Sequence, residues 1–441
     1  MKRYAISKLI EWKNRKKHKP LILQGARQVG KTWLMKEFGK TEFKKVIYIN
    51  FEKDKDVAEF FSKDLNVKRI IRDLEIKFEY NIVAEDTLII LDEIQECSKA
   101  LTALKYFYED VPQYNIICAG SLLGIYLHSG VSFPVGKVEI LYIYPLSFYE
   151  FLDALGQEKL CNVIKEQDYS LLSSFENKIN ELLKYYFYIG GMPEVVNDYA
   201  ETKNILNVRK IQKQIISNYE RDFSKHVPKI TFPKLKLLWE NIPNQLAKEH
   251  KKFVYNYIKE GARAREYENA MAWLKDCGLI YKVNAISKPA MPLKAYENIS
   301  NFKLLVCDIG LLSALTKLSV QILLKNTSIF TEFKGALTEQ YVLQQLKTLN
   351  NEDMDIFYWA NENSTSEVDF IIQTDDNIIP LEAKAGLNLK AKSLKFYREQ
   401  FKPEISIRTS LANYKKTDDL YDIPLYAIEM LNKVIKEQKK K

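Results

Sequence analysis

The chain has 441 residues, 46% of them hydrophobic and 28% charged, a balance that belongs to soluble globular proteins and, by length, to about three domains. Its 66 basic residues against 57 acidic ones leave a formal charge of +9, which permits a nucleic-acid partner without requiring one. Cys97, Cys118, Cys161, Cys277 and Cys307 are scattered, and so are His18, His128, His226 and His250. Neither a zinc knuckle nor a histidine metal site is therefore expected, and the thiols read as buried and free in a reducing cytosol. The N-terminus is charged from Lys2 onward and no apolar run approaches about 18 residues, so no secretory signal, no membrane span and a cytoplasmic location are expected.

Residues 4–19 read as an amphipathic helix, with Ile6, Leu9, Ile10 and Trp12 apolar ahead of the basic run Lys13 to Lys19. Leu21-Ile22-Leu23 suits a buried strand. The next residues, Gln24-Gly25-Ala26-Arg27-Gln28-Val29-Gly30-Lys31-Thr32, fit G-x-x-x-x-G-K-[ST], the phosphate-cradling P-loop. A helix follows, expected to end at Gly39. Gly25 and Gly30 let the backbone curl, so that the N–H groups of the loop from Gly25 through Ala26, Arg27, Gln28, Val29 and Gly30 turn toward phosphate oxygens. The helix N-terminus adds partial positive charge. Lys31 would reach the β- and γ-phosphates, and the Thr32 hydroxyl would hold Mg²⁺. ATP and Mg²⁺ are the expected cofactors.

Val46 to Phe51 is the next strand, and a helical region with breaks runs from about Asp56 to Glu79. Thr87-Leu88-Ile89-Ile90-Leu91-Asp92-Glu93 is an apolar run closed by two acids, the Walker B pattern. A buried parallel strand there delivers both carboxylates to the C-terminal edge of the sheet, where open α/β sheets bind ligands. Asp92 would hold Mg²⁺ through water, and Glu93 would polarise the attacking water. Asn115 to Ser121 reads as a fourth strand that would place Ser121 beside the Walker B end, in a sensor role toward the γ-phosphate or the water.

These segments, with Leu91-Asp92-Glu93-Ile94-Gln95 and Ala119-Gly120-Ser121, resemble the AAA-type ATPases of bacteria and archaea. More narrowly, they resemble those with a C-terminal domain of unknown function 4143. Pro145-Leu146-Ser147-Phe148-Tyr149-Glu150-Phe151 and Gly190-Gly191-Met192-Pro193-Glu194 match two further signatures of that group. The resemblance implies that the helical region after Pro145 is a lid on the nucleotide core. One departure is visible. The group often has arginine after a glycine ahead of the Pro-Leu-Ser-Phe segment, and this chain has Gly136-Lys137, which lacks the bidentate fork of an arginine finger. Arg221 is another basic residue in a family-like segment, with a helical surface charge as its plain reading.

Residues 205–285 continue helical. Phe253 to Tyr281 reads as helix, turn and a longer helix from Ala264 to Lys275, then a strand Leu279 to Val283. That order resembles a winged helix, used either on DNA or for packing and protein contacts.

Thr331 to Leu346 has a helical period and carries Glu339. Asp355 to Trp359, Glu367 to Ile372 and Ile378 to Lys384 read as strands, the last two joined by Asp375-Asp376-Asn377 as a hairpin. Glu382 and Lys384 share a strand face because the period is two, and Asp369 could meet them across the hairpin. A cluster of that kind can bind Mg²⁺ through Asp369 and Glu382 while Lys384 steadies a phosphate oxygen. It resembles the core of PD-(D/E)XK nucleases, with Glu339 as a further acid. Such folds also serve as binding modules without cleavage.

The expected class is α/β: a P-loop NTPase parallel sheet with a helical lid, a winged-helix-like region and a C-terminal α/β restriction-endonuclease-like domain. The boundaries are 1–145, 146–204, 205–300 and 301–441. The expected function is an ATPase that couples nucleotide state to DNA engagement. The alternative is a nucleotide-dependent switch or scaffold directed at protein partners through an inactive nuclease-like domain. A homo-oligomer is open, and a small-molecule phosphotransferase is disfavoured by Glu93, which suits activation of water.

Overall fold

A computed structural model describes residues 1–120, 133–248, 251–325, 331–349, 354–361, 366–387 and 389–438. The chain divides into two compact units. One is formed by Lys2–Tyr144 with Asp276–Leu279, the other by Pro145–Lys275 with Ile280–Lys441.

The first unit is built on a five-stranded sheet in the order β2-β3-β4-β1-β5. Its strands are Leu21–Gln24 (β1), Lys45–Asn50 (β2), Thr87–Asp92 (β3), Asn115–Ala119 (β4) and Glu139–Tyr142 (β5). Every pairing is parallel. β3 and β4 are buried along their whole length, which explains their unbroken apolar runs, since a parallel sheet is covered on both faces. The register sets Asn50 beside Asp92 and Asp92 beside Ala119, so three strands end at one edge. Ile47, Ile49, Ile89 and Leu91 form a core with Ile70, Leu74, Leu104 and Phe107 from the flanking helices.

Two local expectations change. The first helix covers Ala5–Lys13, not residues 4–19; beyond it the chain folds back, and the Trp12 indole donates to Lys19 O at 2.8 Å. The helix after the P-loop, Lys31–Glu42, passes through Gly39 instead of stopping there. Gly39 is needed for closeness, because a Cβ would lie 2.7 Å from Val46 Cγ2. The helical region with breaks expected from about Asp56 to Glu79 is present as two helices, Lys55–Lys63 and Val67–Phe78. Extended Asp64 separates them, and the Asn66 side chain caps the second by accepting Arg69 N–H at 3.2 Å.

The second unit combines helices with an eight-stranded mixed sheet in the order β12-β13-β11-β10-β9-β8-β6-β7. Its strands are Ile280–Ile286 (β6), Glu297–Val306 (β7), Asp355–Ala360 (β8), Glu367–Gln373 (β9), Ile378–Ala383 (β10), Ser406–Ser410 (β11), Lys415–Thr417 (β12) and Leu420–Pro424 (β13). The strand expected near Leu279 to Val283 is β6. It pairs antiparallel with β7 and parallel with β8, Ala285 opposite Tyr358, so it joins the same sheet as the C-terminal strands. The helix expected from Phe253 is only the 3₁₀ turn Tyr255–Tyr257. Backbone there is claimed by other partners: Phe253 N–H donates to Phe302 O at 2.8 Å, and Gln245 holds both Val254 N–H and Val254 O.

The two signature motifs of the sequence meet in this unit. Leu146 N–H donates to Gly191 O at 2.7 Å, and Gly191 N–H donates to Asp308 Oδ2 at 2.6 Å. A Cβ on Gly190 would lie 2.3 Å from Asp308 Oδ1, and one on Gly191 2.2 Å from Leu146 O. The glycines are therefore contact surfaces as well as a turn. The helix Thr331–Thr348 presents buried amides to the same region: Gln345 accepts Phe148 N–H, Gln344 accepts Ile309 N–H, and Gln340 brackets Val306. This is why so many glutamines stand on a helix that is buried. Among the described residues no helix is long and apolar enough to cross a membrane, and all five cysteines are free and buried.

Candidate functional site

β1 runs out at Gln24 and the chain turns sharply. Gly25 has φ +152° and its Cβ would fall 2.1 Å from Ile143 O, so only glycine fits. Gln28 has φ +67°, and Gly30, at φ +90°, opens the helix Lys31–Glu42. The result is a loop whose amides curl inward at a helix N-terminus. Lys31 is buried, and its ammonium donates to Gly25 O and Ala26 O, each at 2.8 Å. Burial lowers its pKa to about 8, against the opposing pull of Glu93 and Asp92. Arg3, also buried, donates to Val29 O at 2.8 Å and Tyr144 O at 2.7 Å. Nothing in the sequence marks Arg3, because it precedes the motif by a whole helix.

β3 delivers Asp92 to the loop. Its Oδ2 accepts the Thr32 hydroxyl at 2.9 Å and the Tyr48 hydroxyl at 2.8 Å, and its Oδ1 accepts Glu93 N–H at 3.1 Å. Burial, assisted by Asp92, raises the Tyr48 phenol to about 12, so it remains a donor at neutral pH. Glu93 stands at φ +49° just beyond the strand, and Gln95 Nε2 donates to Glu93 Oε2 at 2.6 Å. Tyr48 and Gln95 are functional candidates that the motif pattern passes over. Alternation along β2 could have found Tyr48, which shares a face with Asn50 at the strand end.

A hydroxyl and a carboxylate 2.9 Å apart are hard oxygen donors of the kind Mg²⁺ takes, and the loop beside them is shaped for phosphate. The residues fit ATP–Mg²⁺. The expected loop residues Gly25 to Thr32 therefore converge with Asp92 and Glu93. Ser121 lies outside the described residues; Ala119, two positions before it, ends β4 opposite Asp92. Lys137 pairs with Glu109 Oε1 at 2.9 Å, and Arg221 is exposed on the helix Ile205–His226.

One more element packs with this unit. Gly278, at φ +72°, would bring a Cβ within 3.0 Å of Ala26 N. The turn Asp276–Leu279 thus lies against the P-loop backbone, a contact made by residues about 250 positions later in the chain that no local pattern reveals.

In the second unit, Glu339, Asp369, Glu382 and Lys384 also come together, joined by lysines the sequence does not announce. Lys303, only 1% exposed, pairs with Glu339 Oε2 at 3.2 Å and with Glu367, and Lys251 pairs with Glu339 Oε1. Lys384 pairs with Glu382 Oε1 at 2.6 Å, and Asp369 Oδ2 accepts Ala383 N–H at 2.8 Å. Burial would raise Glu339, but Lys251 and Lys303 hold it below the usual carboxylate range. Burial, then Glu339 and Glu382, push Asp369 well above it. Buried Glu382 keeps one oxygen, Oε2, without a hydrogen-bond partner. Among the described residues no three acidic, histidine or cysteine side chains converge as a set of metal ligands. Lysine ammonium groups stand among the carboxylates.

The AAA domain family matches residues 17–152. Two domains of unknown function follow, DUF8612 over residues 180–321 and DUF4143 over residues 334–428. No curated protein matches the chain. Among solved structures, a Walker-type ATPase of Pyrococcus abyssi is 15% identical over 71% of this chain and 95% of its own, with a TM-score of 0.47. The Orc1 protein of Aeropyrum pernix, solved in complex with DNA, is 13% identical over 72% of this chain and 93% of its own, with a TM-score of 0.31. DnaA of Aquifex aeolicus, bound to AMPPCP, is 14% identical over 62% of this chain and 85% of its own, with a TM-score of 0.26. The chain thus carries an AAA domain that holds the P-loop and the acid-ended β3, followed by a DUF4143 domain that holds strands β8 to β13.

Proposed function

We propose that the chain binds ATP with Mg²⁺ at the P-loop and hydrolyses it. The observation that carries this reading is the meeting of Thr32 and Asp92 at 2.9 Å beside the buried Lys31. Three groups that act on one nucleotide stand together at one sheet edge. The backbone from Gly25 to Gly30 would cradle the phosphates, Lys31 would neutralise the β- and γ-oxygens, and Thr32 and Asp92 would hold the cation. Glu93, steadied by Gln95, would orient and polarise the attacking water. Ser121 is the proposed sensor. Bound Mg²⁺ supplies charge stabilisation on the phosphates. The test is ATP binding and turnover by the purified chain; an Lys31→Ala variant that binds and hydrolyses as well as wild type overturns it.

For the second unit the reading is engagement of a macromolecular partner under control of the nucleotide, with DNA favoured by the net charge of +9 and by the likeness of the acid-strand hairpin to nuclease cores. A specific observation favours binding without cleavage: Lys251 and Lys303 both pair with Glu339, so an ammonium takes up the charge that a metal would. In the cleaving alternative Asp369 and Glu382 hold Mg²⁺ and Lys384 steadies the phosphate. Labelled DNA with Mg²⁺ or Mn²⁺ separates the two, since metal-dependent cleavage lost in both Asp369→Ala and Lys384→Ala would establish the nuclease. A protein partner is the outcome if DNA is not bound in any nucleotide state.

A further inference from the structure

We propose that Tyr48 is a positioning residue for the cation half of the nucleotide site, holding the Asp92 carboxylate in the orientation that receives Mg²⁺. The inference rests on the reading of this unit as a Mg²⁺-dependent nucleotide site and deepens it.

Tyr48 lies on β2, paired with Ile90, while Asn50 two residues on is paired with Asp92. The strand period puts the Tyr48 and Asn50 side chains on one face, and the length of the tyrosine carries its hydroxyl up to the strand end. There it donates to Asp92 Oδ2 at 2.8 Å and receives Asn50 Nδ2 at 3.4 Å. The ring is gripped as well: the Lys36 ammonium, from the helix that starts at the P-loop, lies 3.8 Å from its centroid, an attractive cation–π distance.

Two consequences follow for Asp92. Its Oδ2 has two hydroxyl donors, Thr32 and Tyr48, and its Oδ1 has the Glu93 amide, so the carboxylate plane is fixed before any cation arrives. The hydroxyl of Thr32 is itself a proposed ligand and must serve the cation. The Tyr48 hydroxyl has no such second duty and supplies an anchor that stays with the carboxylate throughout. It is also neutral, so it orients Asp92 without cancelling the charge that attracts a divalent ion. A lysine in that place would orient and neutralise together, and here Lys36 contacts the ring.

The experiment is a Mg²⁺ titration of fluorescent ATP-analogue binding to the full chain, comparing wild type with Tyr48→Phe, with an EDTA arm for cation-free binding. Losing one hydrogen bond to a buried carboxylate predicts that half-saturating Mg²⁺ rises about fivefold to tenfold, with affinity in EDTA unchanged within about twofold. In an Asp92→Asn background the same substitution should then produce no further shift. A Tyr48→Phe variant that melts earlier but keeps the wild-type Mg²⁺ response would show a purely structural role and overturn the proposal. Should Tyr48→Phe not fold, Tyr48→Trp, which retains a ring and an N–H donor but no hydroxyl at that reach, is titrated in its place with the same expectations. If the wild type itself binds the analogue without regard to Mg²⁺, the nucleotide-site reading falls first. If the wild type responds and the variant responds identically, only the role of Tyr48 falls.

Discussion

The Thr32 hydroxyl donates to Asp92 Oδ2 at 2.9 Å across 60 residues of sequence. That contact joins the loop that would cradle phosphate to the strand that would present the cation's carboxylate. It exists because β3 and β1 are both drawn into one parallel sheet, with β4 between them.

Lys31→Ala should weaken ATP binding by about a hundredfold, read by calorimetry or fluorescent-analogue titration, because the buried ammonium opposes the phosphate charge at short range. Glu93→Gln should bind ATP as the wild type does and hydrolyse it about 10²-fold or more slowly, since it keeps the shape of the side chain and loses the base.

Gln95→Leu should lower kcat by about tenfold with little change in ATP affinity. The amide holds Glu93 Oε2 at 2.6 Å, and misplacing a base costs turnover before binding. A proportional loss of ATP affinity would place Gln95 in binding instead.

Gly278→Val should destabilise the first unit by about 1–3 kcal/mol, the cost of a β-branched residue in the left-handed region, and should weaken nucleotide binding. Its φ is +72° and its Cβ would press on Ala26 N at 3.0 Å, so any relief must come from the P-loop. Chemical denaturation and ATP-analogue titration measure the two effects separately.

Lys303→Met should cost about 3–5 kcal/mol, the usual penalty for stranding a buried charge, because Glu339 and Glu367 lose their shared partner. Lys303→Met with Glu339→Gln should recover part of that loss. A double variant no more stable than the single one would remove Glu339 as the charge that Lys303 serves.

Asp308 gives a pH signature. Burial raises its pKa from 3.8 to about 6, in spite of the N–H groups of Gly191 and Leu311 and the Gln344 amide that favour its charge. Between pH 4 and 6 the folded state then holds a proton that the unfolded state has released. Stability from this group is therefore highest below pH 4 and falls as pH rises through 6. The difference in unfolding free energy between wild type and Asp308→Asn should drop by about 1–3 kcal/mol from pH 4 to pH 7 in denaturant titrations at each pH.

The P-loop, the Walker B strand and their relation were legible because each is a local pattern with strict physical demands. A loop that wraps phosphate needs glycine at positive φ, and a strand buried on both faces needs an unbroken apolar run before its acids. The C-terminal hairpin was legible for the same reason, through alternation on either side of Asp375-Asp376-Asn377. Gly39 misled because a glycine in a helix reads as a stop, whereas here it admits Val46. Phe253 misled because the helical period cannot reveal that Phe302 and Gln245 compete for the backbone.

By itself the sequence determined the elements whose chemistry is complete within about ten residues: the curled loop, the acid-ended strand, the hairpin of acids and lysine. Tertiary structure alone decided which distant groups complete them. Arg3 reaches the P-loop and Tyr48 reaches Asp92, Gly278 lies on the P-loop, and Lys251 and Lys303 sit among the C-terminal carboxylates. Those partners are chosen by strand order, register and burial, and a buried charge or donor takes whatever neighbour packing brings within hydrogen-bond reach. Spacing along the chain carries no record of that choice.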